Sequence, residues 1–301
     1  MMKQVEFAFI VHPLSMEDIF KKFKILRSLP LSLTRAVISL FPPLVASYIS
    51  GISSPYASAE GCFIGVTLTT EQMLQLPQEI SLRKIIAAGQ KAARAGAKII
   101  GLGAMTAVVG DAGITVARNL DVAVTTGNSY TVATALEGTR KAAELMGLDF
   151  ERAEVAVLGA SGSIGSACAR ILARDVNFMT LIARNVPRLE RLAESILRDT
   201  GLAVKVTART REAVRKADII IAVSSAAGSV IEPEDLKPGA VVCDVARPRD
   251  VSAKVAQKRN DVLVIEGGIV EVPGDVNFNF NFGFPPKTAY ACMAETMIQI
   301  G

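Results

Sequence analysis

The chain has 301 residues, half of them apolar and 21% charged, with a net charge of +4; this is room for about two domains with packed cores and excludes a disordered chain. Four cysteines with no CxxC spacing exclude a disulfide scaffold and a zinc ribbon. The single histidine, His12, excludes most His-based metal sites and argues against a Ser-His-Asp triad, and the absence of tryptophan argues against a stacking platform for single-stranded nucleic acid.

The first residues, Met1-Met2-Lys3-Gln4-Val5-Glu6, place an acid where a secretory signal turns apolar. The longest uncharged stretch, residues 36–59, is broken by Pro42-Pro43, Gly51 and Pro55. Neither a signal peptide nor a transmembrane segment is expected. The expected setting is cytoplasmic and reducing, with free thiols.

Up to about residue 130 the pattern is irregular. Residues 82–95 predict a helix, residues 99–103 a strand ending in a Gly turn, and residues 129–145 a long helix. From about residue 150, short apolar runs alternate with helical segments. The runs are 155–158, 179–182, 204–206, 219–223, 241–245 and 262–265. Their lack of alternation suits strands buried on both faces. The intervening helices are expected at 163–174, 187–198, 211–216 and 252–258. Strand and helix alternating in this way imply parallel pairing through right-handed crossovers, in the doubly wound order of a dinucleotide-binding Rossmann sheet. A final helix is expected over 286–300, with Pro286 at its first position. The expected fold class is α/β: a doubly wound parallel Rossmann sheet, a smaller N-terminal α/β substrate domain, and a C-terminal helix returning to the cleft. The boundaries read 1–130, 131–284 and 285–301.

The strongest motif is Gly159-Ala160-Ser161-Gly162-Ser163-Ile164-Gly165, which follows the first apolar run and opens a helix. Gly159 makes the tight turn, Gly162 lets a pyrophosphate approach the backbone, and Gly165 lets helix and strand pack closely. Ser161, Ser163 and Ile164 complete the loop, whose free N–H groups suit an anion. The second run ends in Ala183-Arg184-Asn185, where a carboxylate would select NAD. A guanidinium there suits a 2′-phosphate, so NADPH is the expected cofactor; the alternative is that Arg184 is a solvated loop charge. Ser224, after the fourth run, joins the cofactor-binding candidates.

Cys168 and Cys243 lie in the expected helix and strand and read as small core residues, and Cys62, between Gly61 and Phe63, reads the same way. Cys292 lies on the last helix. A thiolate suits attack on an activated acyl group, giving an enzyme thioester that hydride reduces to an aldehyde. With Pro286 as the first helical residue, Cys292 lies beyond the first turn, where the helix dipole has faded, and Lys287 helps only by folding back. Packing is the alternative.

These motifs resemble a family: the long-chain acyl-[acyl-carrier-protein] reductases known from cyanobacteria, with bacterial relatives labelled quinate/shikimate dehydrogenase-like. The resemblance rests on Val11-His12-Pro13-Leu14-Ser15, Leu102-Gly103-Ala104-Met105-Thr106, Thr125-Thr126-Gly127-Asn128-Ser129, the glycine loop, Ala183-Arg184-Asn185, Glu266-Gly267-Gly268-Ile269-Val270-Glu271 and Ala291-Cys292-Met293-Ala294-Glu295. It implies NADPH-dependent reduction of a fatty acyl thioester to a fatty aldehyde, with Cys292 as the nucleophile. Asn128 and Thr126 are then candidates to bind the carbonyl oxygen or the nicotinamide amide. The alternative is that Thr-Gly-Asn caps the following helix. The cyanobacterial enzymes carry a further segment after the cysteine helix, whereas this sequence stops at Ile300-Gly301, and the segment 62–70 differs in its charges.

The resemblance implies acyl carrier protein or acyl-CoA as partner, with no nucleic acid and no metal, and is compatible with a homo-oligomer. An acidic carrier needs a basic face. Lys21, Lys22, Lys24, Arg27 and Arg35 form one candidate, and Arg83, Lys84, Lys91, Arg94 and Lys98 another; ordinary solvated helix faces are the alternative. The apolar run 40–52 either lines an acyl tunnel or fills the core. His12 reads as a structural residue. Two rival functions stay open: a shikimate- or amino-acid-type NAD(P) dehydrogenase on a small substrate, which needs a Lys/Asp pair for proton transfer, and a non-catalytic nucleotide-sensing module.

Overall fold

A computed structural model describes residues 3–224, 228–281 and 283–300, apart from the side chains of Lys21 and Lys22. The chain divides into two units, residues 1–127 with 270–301, and residues 128–269.

The second unit alternates α7 (Asn128–Leu145), β6 (Glu154–Leu158), α8 (Ser163–Leu172), β7 (Phe178–Ile182), α9 (Val186–Thr200), β8 (Lys205–Thr207), α10 (Thr210–Val214), β9 (Ile219–Ala222), β10 (Val241–Asp244), α11 (Lys254–Lys258) and β11 (Leu263–Glu266). These six strands pair in parallel in the order β11-β10-β9-β6-β7-β8. In local numbering this is 3-2-1-4-5-6, the doubly wound dinucleotide-binding order. All six expected strands are present. Their uninterrupted apolar character has a plain cause: alternate residues enter two different cores. Val155, Val157, Leu181, Ile219 and Ile221 pack with Val132, Leu136 and Leu172 of α7 and α8. Ala156, Leu158, Ile182, Ile220 and Val242 pack with Val214, Ile231 and Val255 on the other face. Each such Val, Leu or Ile side chain contributes about 1.5–3 kcal/mol on burial.

The first unit begins with β1 (Phe7–Val11), α1 (Met16–Lys22), α2 (Leu31–Leu40), β2 (Leu44–Ser53) and β3 (Ser58–Gly65). It continues with α3 (Thr70–Gln75), α4 (Gln78–Arg94), β4 (Ile99–Leu102), the kinked pair α5 (Val109–Ala112) and α6 (Ile114–Arg118), and β5 (Ala123–Thr125). After the second unit come β12 (Ile269–Glu271), β13 (Gly274–Asn277), β14 (Thr288–Tyr290) and α12 (Ala291–Ile298). Its six-stranded sheet has the order β13-β2-β3-β1-β4-β5, with β2 antiparallel to both neighbours. Ala8, Ile10, Ile64, Ile100 and Leu102 face Ile85, Ala88 and Ala92 of α4. Phe7, Phe9, Phe63 and Ile99 face Met293 and Met297 of α12.

Two expectations need correction. The first unit is the larger, because residues 270–284 belong to it and not to the nucleotide unit. The reason is pairing: β13 adds to β2, Ser47 Oγ donates to the Phe278 carbonyl at 2.9 Å, and Val276 and Phe278 enter the first unit's core. The last helix begins at Ala291, not Pro286. Lys287 takes a left-handed φ of 64°, and Thr288–Tyr290 pairs as β14 with β12, so no helix can run through them. The run 40–52 is largely β2, with Ile49 and Ile52 in the core. No helix among the described residues is long and apolar enough to cross a membrane.

Gly101 of β4 lies under α12. An added Cβ would stand 2.1 Å from Thr296 Oγ1 and 2.4 Å from the Phe9 ring. Gly101→Ala is expected to lower stability by about 1–3 kcal/mol, measured as the shift of the denaturant midpoint at constant m.

Candidate active site

In the second unit the glycine loop is built on the end of β6. Gly159 has φ +82°, and its N–H donates to the Ile182 carbonyl at 2.8 Å. A Cβ there would lie 2.6 Å from the Val223 carbonyl oxygen and 2.9 Å from Ser224 Cα, so both conformation and space demand glycine. At Gly165 a Cβ would lie 2.5 Å from the Gly159 oxygen, so α8 can sit tight on the loop only without a side chain. Gly162 differs: among the described residues the sole neighbour of a Cβ there within 4 Å is the Gly159 oxygen, at 3.2 Å. No other described residue fills its outer side. Gly162 caps α8 without a side chain, so no side-chain cap occupies the first-turn N–H groups of Ser163 and Ile164. An open glycine cradle facing uncapped helix N–H groups fits the pyrophosphate of a dinucleotide. Ser161 and Ile164 are half-buried and Ser163 is exposed.

At the end of β7, the N–H of Ala183 donates to the Thr207 carbonyl. Arg184 is exposed and has no ion-pair partner among the described residues. Asn185 Oδ1 accepts the Arg188 N–H at 3.1 Å and caps α9, so its side-chain oxygen is already engaged in the fold. Arg188, four residues beyond Arg184, is also exposed and without an ion pair among the described residues; the Pro187 between them obscured it in the sequence. Ser224 donates both its N–H (2.8 Å) and its hydroxyl (2.5 Å) to the buried Asp250. Burial pushes the Asp250 carboxyl up, and the two Ser224 bonds pull it back. Ser224 therefore anchors the chain leaving β9. Asn128, at the start of α7, donates its Nδ2 to Ser163 Oγ at 3.0 Å, which places it beside the glycine loop.

In the first unit and the second alike, three of the four cysteines are core residues. Burial pushes the thiols of Cys62 and Cys243 up to about 11 and that of Cys168 up to about 12. Cys292 alone is partly accessible. It is the second residue of α12, with Tyr290 as the cap. This corrects the sequence expectation: the thiol lies in the first turn, at the positive end of the helix dipole, which favours negative charge. Lys287 takes no part, since its Nζ pairs with Asp275 Oδ1 at 2.8 Å.

The segment after β5 meets Cys292 directly. Gly127 has φ +69°, and a Cβ on it would lie 2.3 Å from Cys292 Cα and 2.4 Å from Cys292 Cβ. The two most specific sequence segments are thus in main-chain contact. Thr126 is half-buried, and no side-chain hydrogen bond ties it to Cys292 among the described residues. Sequence reasoning chose Thr126 and missed its neighbour: Thr125 Oγ1 donates to Glu295 Oε1 at 2.5 Å and accepts the Gly127 N–H at 3.1 Å. Nothing in the sequence tells the two threonines apart, and only the fold shows that Glu295 is buried against one of them.

The other two resemblance segments also meet. His12 Nδ1 donates to the Pro13 carbonyl at 3.0 Å, and Nε2 accepts the Met105 N–H at 3.2 Å. Both nitrogens are engaged in the fold with the ring neutral, so His12 is structural. Of the basic residues read as docking faces, Arg27 pairs with Glu17 and Arg35 with Glu71. Lys84 and Lys91 hold the carbonyls of Phe41 and Pro43. Lys24, Arg83, Arg94 and Lys98 have no ion pair among the described residues. The side chains of Lys21 and Lys22 lie outside the described residues.

Strand order and loop define the class: the chain contains the Rossmann domain of an NAD(P)-dependent oxidoreductase, and residues 140–266 match the family Shikimate / quinate 5-dehydrogenase. The chain is 29% identical to the long-chain acyl-[acyl-carrier-protein] reductase of Synechococcus elongatus, over 85% of this chain and 77% of that protein. It is also 29% identical to aminotransferase PigE of Serratia sp., over 82% of this chain, but it spans only 29% of that protein's length. Among solved structures, dipicolinate synthase A chain from Bacillus subtilis is similar over 89% of both chains, with 18% identity and a TM-score of 0.41.

Burial holds the His12 imidazole below the ordinary histidine value. The unfolded chain therefore takes up a proton on His12 before the folded one does, and stability falls as pH drops below about 6.5 toward the folded value. The melting temperature is expected to decline between about pH 7.5 and about pH 5.5. His12→Ala should be less stable at neutral pH and show a shallower decline.

Proposed function

We propose that the protein reduces a fatty acyl thioester to a fatty aldehyde with NADPH, through a thioester on Cys292. The observation that carries the reading is the contrast among the cysteines: three are sealed in cores, and the fourth is accessible on the first turn of a helix. That is the place and exposure a nucleophilic thiol needs. The similarity to the Synechococcus reductase supports the substrate class.

Cys292 Sγ, as thiolate, attacks the acyl carbonyl carbon and expels the carrier's thiolate, which takes up a proton. When bound, NADPH supplies the hydride that reduces the acyl carbon. The carbon–sulfur bond then breaks, the aldehyde leaves, and Cys292 regains a proton. The first-turn N–H groups of α12 favour negative charge on the sulfur at both ends of the cycle. On the nucleotide side, Gly162 and the N–H groups of Ser163 and Ile164 would hold the pyrophosphate, with Arg184 and Arg188 on the 2′-phosphate. Asn128, bonded to Ser163, belongs with the cofactor residues in this reading. The carrier is an acyl carrier protein or acyl-CoA. Lys24, Arg83, Arg94 and Lys98 are the cations left to steer it.

Intact-mass analysis after mixing the protein with palmitoyl-loaded acyl carrier protein should show a palmitoyl adduct on Cys292 that NADPH discharges as aldehyde. Cys292→Ser should abolish both. Turnover of a small hydroxy or amino acid that survives Cys292→Ser would point to the dehydrogenase reading instead. Separately, Arg184→Ala should raise KM for NADPH by about tenfold or more while changing that for NADH little, read by steady-state kinetics with each nucleotide.

A further inference from the structure

We propose that Thr125 and Glu295 are positioning residues for Cys292, locking the turn after β5 against the first turn of α12 and so fixing where the thiol stands. This rests on the reading of Cys292 as the acyl-accepting nucleophile. Glu295 follows Cys292 by three residues on one helix, so the two share neighbouring sides of it. It is only 7% exposed, among Ala291, Met293, Ala294 and Met297. A carboxyl in such a place is costly unless its oxygens are bonded, and an apolar side chain would serve packing better.

With Glu295 ionised, the hydrogen bonds run one way. The Gly127 N–H can only donate, so it takes Thr125 Oγ1 as acceptor, and an ionised Glu295 carboxylate can only accept, so the Thr125 hydroxyl proton goes to Glu295 Oε1. The chain of bonds ends on Gly127, the residue whose main chain lies against Cys292. The start of α12 is therefore held to the end of β5 twice: by main-chain contact at Cys292 and by the Thr125–Glu295 bond nearly a turn later. Thr296 adds a third hold, seated over Gly101 of β4 with its hydroxyl donating to the Cys292 carbonyl at 3.3 Å. These contacts oppose rolling or sliding of α12 on the sheet. A nucleophile needs this, because a misplacement of about 1 Å costs on the order of 100-fold in rate.

A pair serving only the fold would be replaceable, since exchanging both partners for apolar groups of similar shape leaves stability nearly unchanged. The test compares Thr125→Val, Thr125→Ser and the double variant Thr125→Val/Glu295→Leu. It measures alkylation of Cys292 by iodoacetamide, followed by intact mass, alongside aldehyde formation from palmitoyl-loaded acyl carrier protein. Thr125→Val and the double variant should lose roughly 10- to 100-fold in kcat and alkylate more slowly as the thiol shifts from the start of α12 that favours its thiolate, with KM for NADPH unmoved and the double no worse than the single. Thr125→Ser should recover most of the loss. Wild-type alkylation by Thr125→Val, or a Thr125→Ser as impaired as the valine variant, overturns the positioning role. Should Thr125→Val not fold, Glu295→Gln against Glu295→Leu tests the same role. The glutamine keeps an acceptor for Thr125 and should retain the faster alkylation; equal rates overturn the proposal. The two readouts separate the two readings. Slowed alkylation in a protein whose wild type makes no aldehyde sinks the reductase reading alone, and normal aldehyde formation by Thr125→Val sinks the positioning role alone.

Discussion

A main chain pressed against a main chain governs the first unit. Where Gly127 meets Cys292 there is no room for even a methyl group. That contact requires glycine and a left-handed turn directly after β5. It falls at the start of α12, directly after the three residues of β14. The cysteine is then carried on the first turn, which is the electrostatically favourable end of a helix. The same contact draws Thr125 and Glu295 into bonding range and seats Thr296 over Gly101.

The nucleotide unit obeys a different constraint, the burial of a parallel sheet on both faces. Its strands are short and apolar because each residue enters one of two cores. With the interior so filled, polar groups gather at the carboxyl ends of the strands, which is where a doubly wound sheet binds its ligand. Space demands glycine at 159 and 165, whereas beside Gly162 the described residues leave room. Asp244 and Asp250, both buried, gather the N–H groups of the turns after β9 and β10 and give that rim a defined shape.

The chain reaches this arrangement by leaving the first unit and coming back. β13 adds antiparallel to β2 after the whole Rossmann unit has been traversed, and α12 covers the face of Phe7, Phe9 and Phe63. An accessible cysteine and the strands beneath it thus come from opposite ends of the sequence.

Much of the second unit was legible in the residues themselves. Parallel strands buried on both faces write their positions as apolar runs, and the glycine loop stands where such a run ends, so the six strands and the loop were found by local pattern. The burial of Cys62, Cys168 and Cys243 was legible for the same reason. The mixed sheet of the first unit was not: β2 and β3 form a local hairpin, but β1 pairs with β3 and β13 with β2 across long separations, and pairing of that kind leaves little local mark. Pro286 suggested a helix start that the β14 pairing overrode. Thr126 and Thr125 are indistinguishable in the sequence, and only the fold brings one of them to Glu295 from 170 residues away. Local chemistry determined which residues are able to react or bind. Which of them stand together was decided by tertiary packing, because contact across the chain depends on the closed sheet and not on any neighbour in sequence.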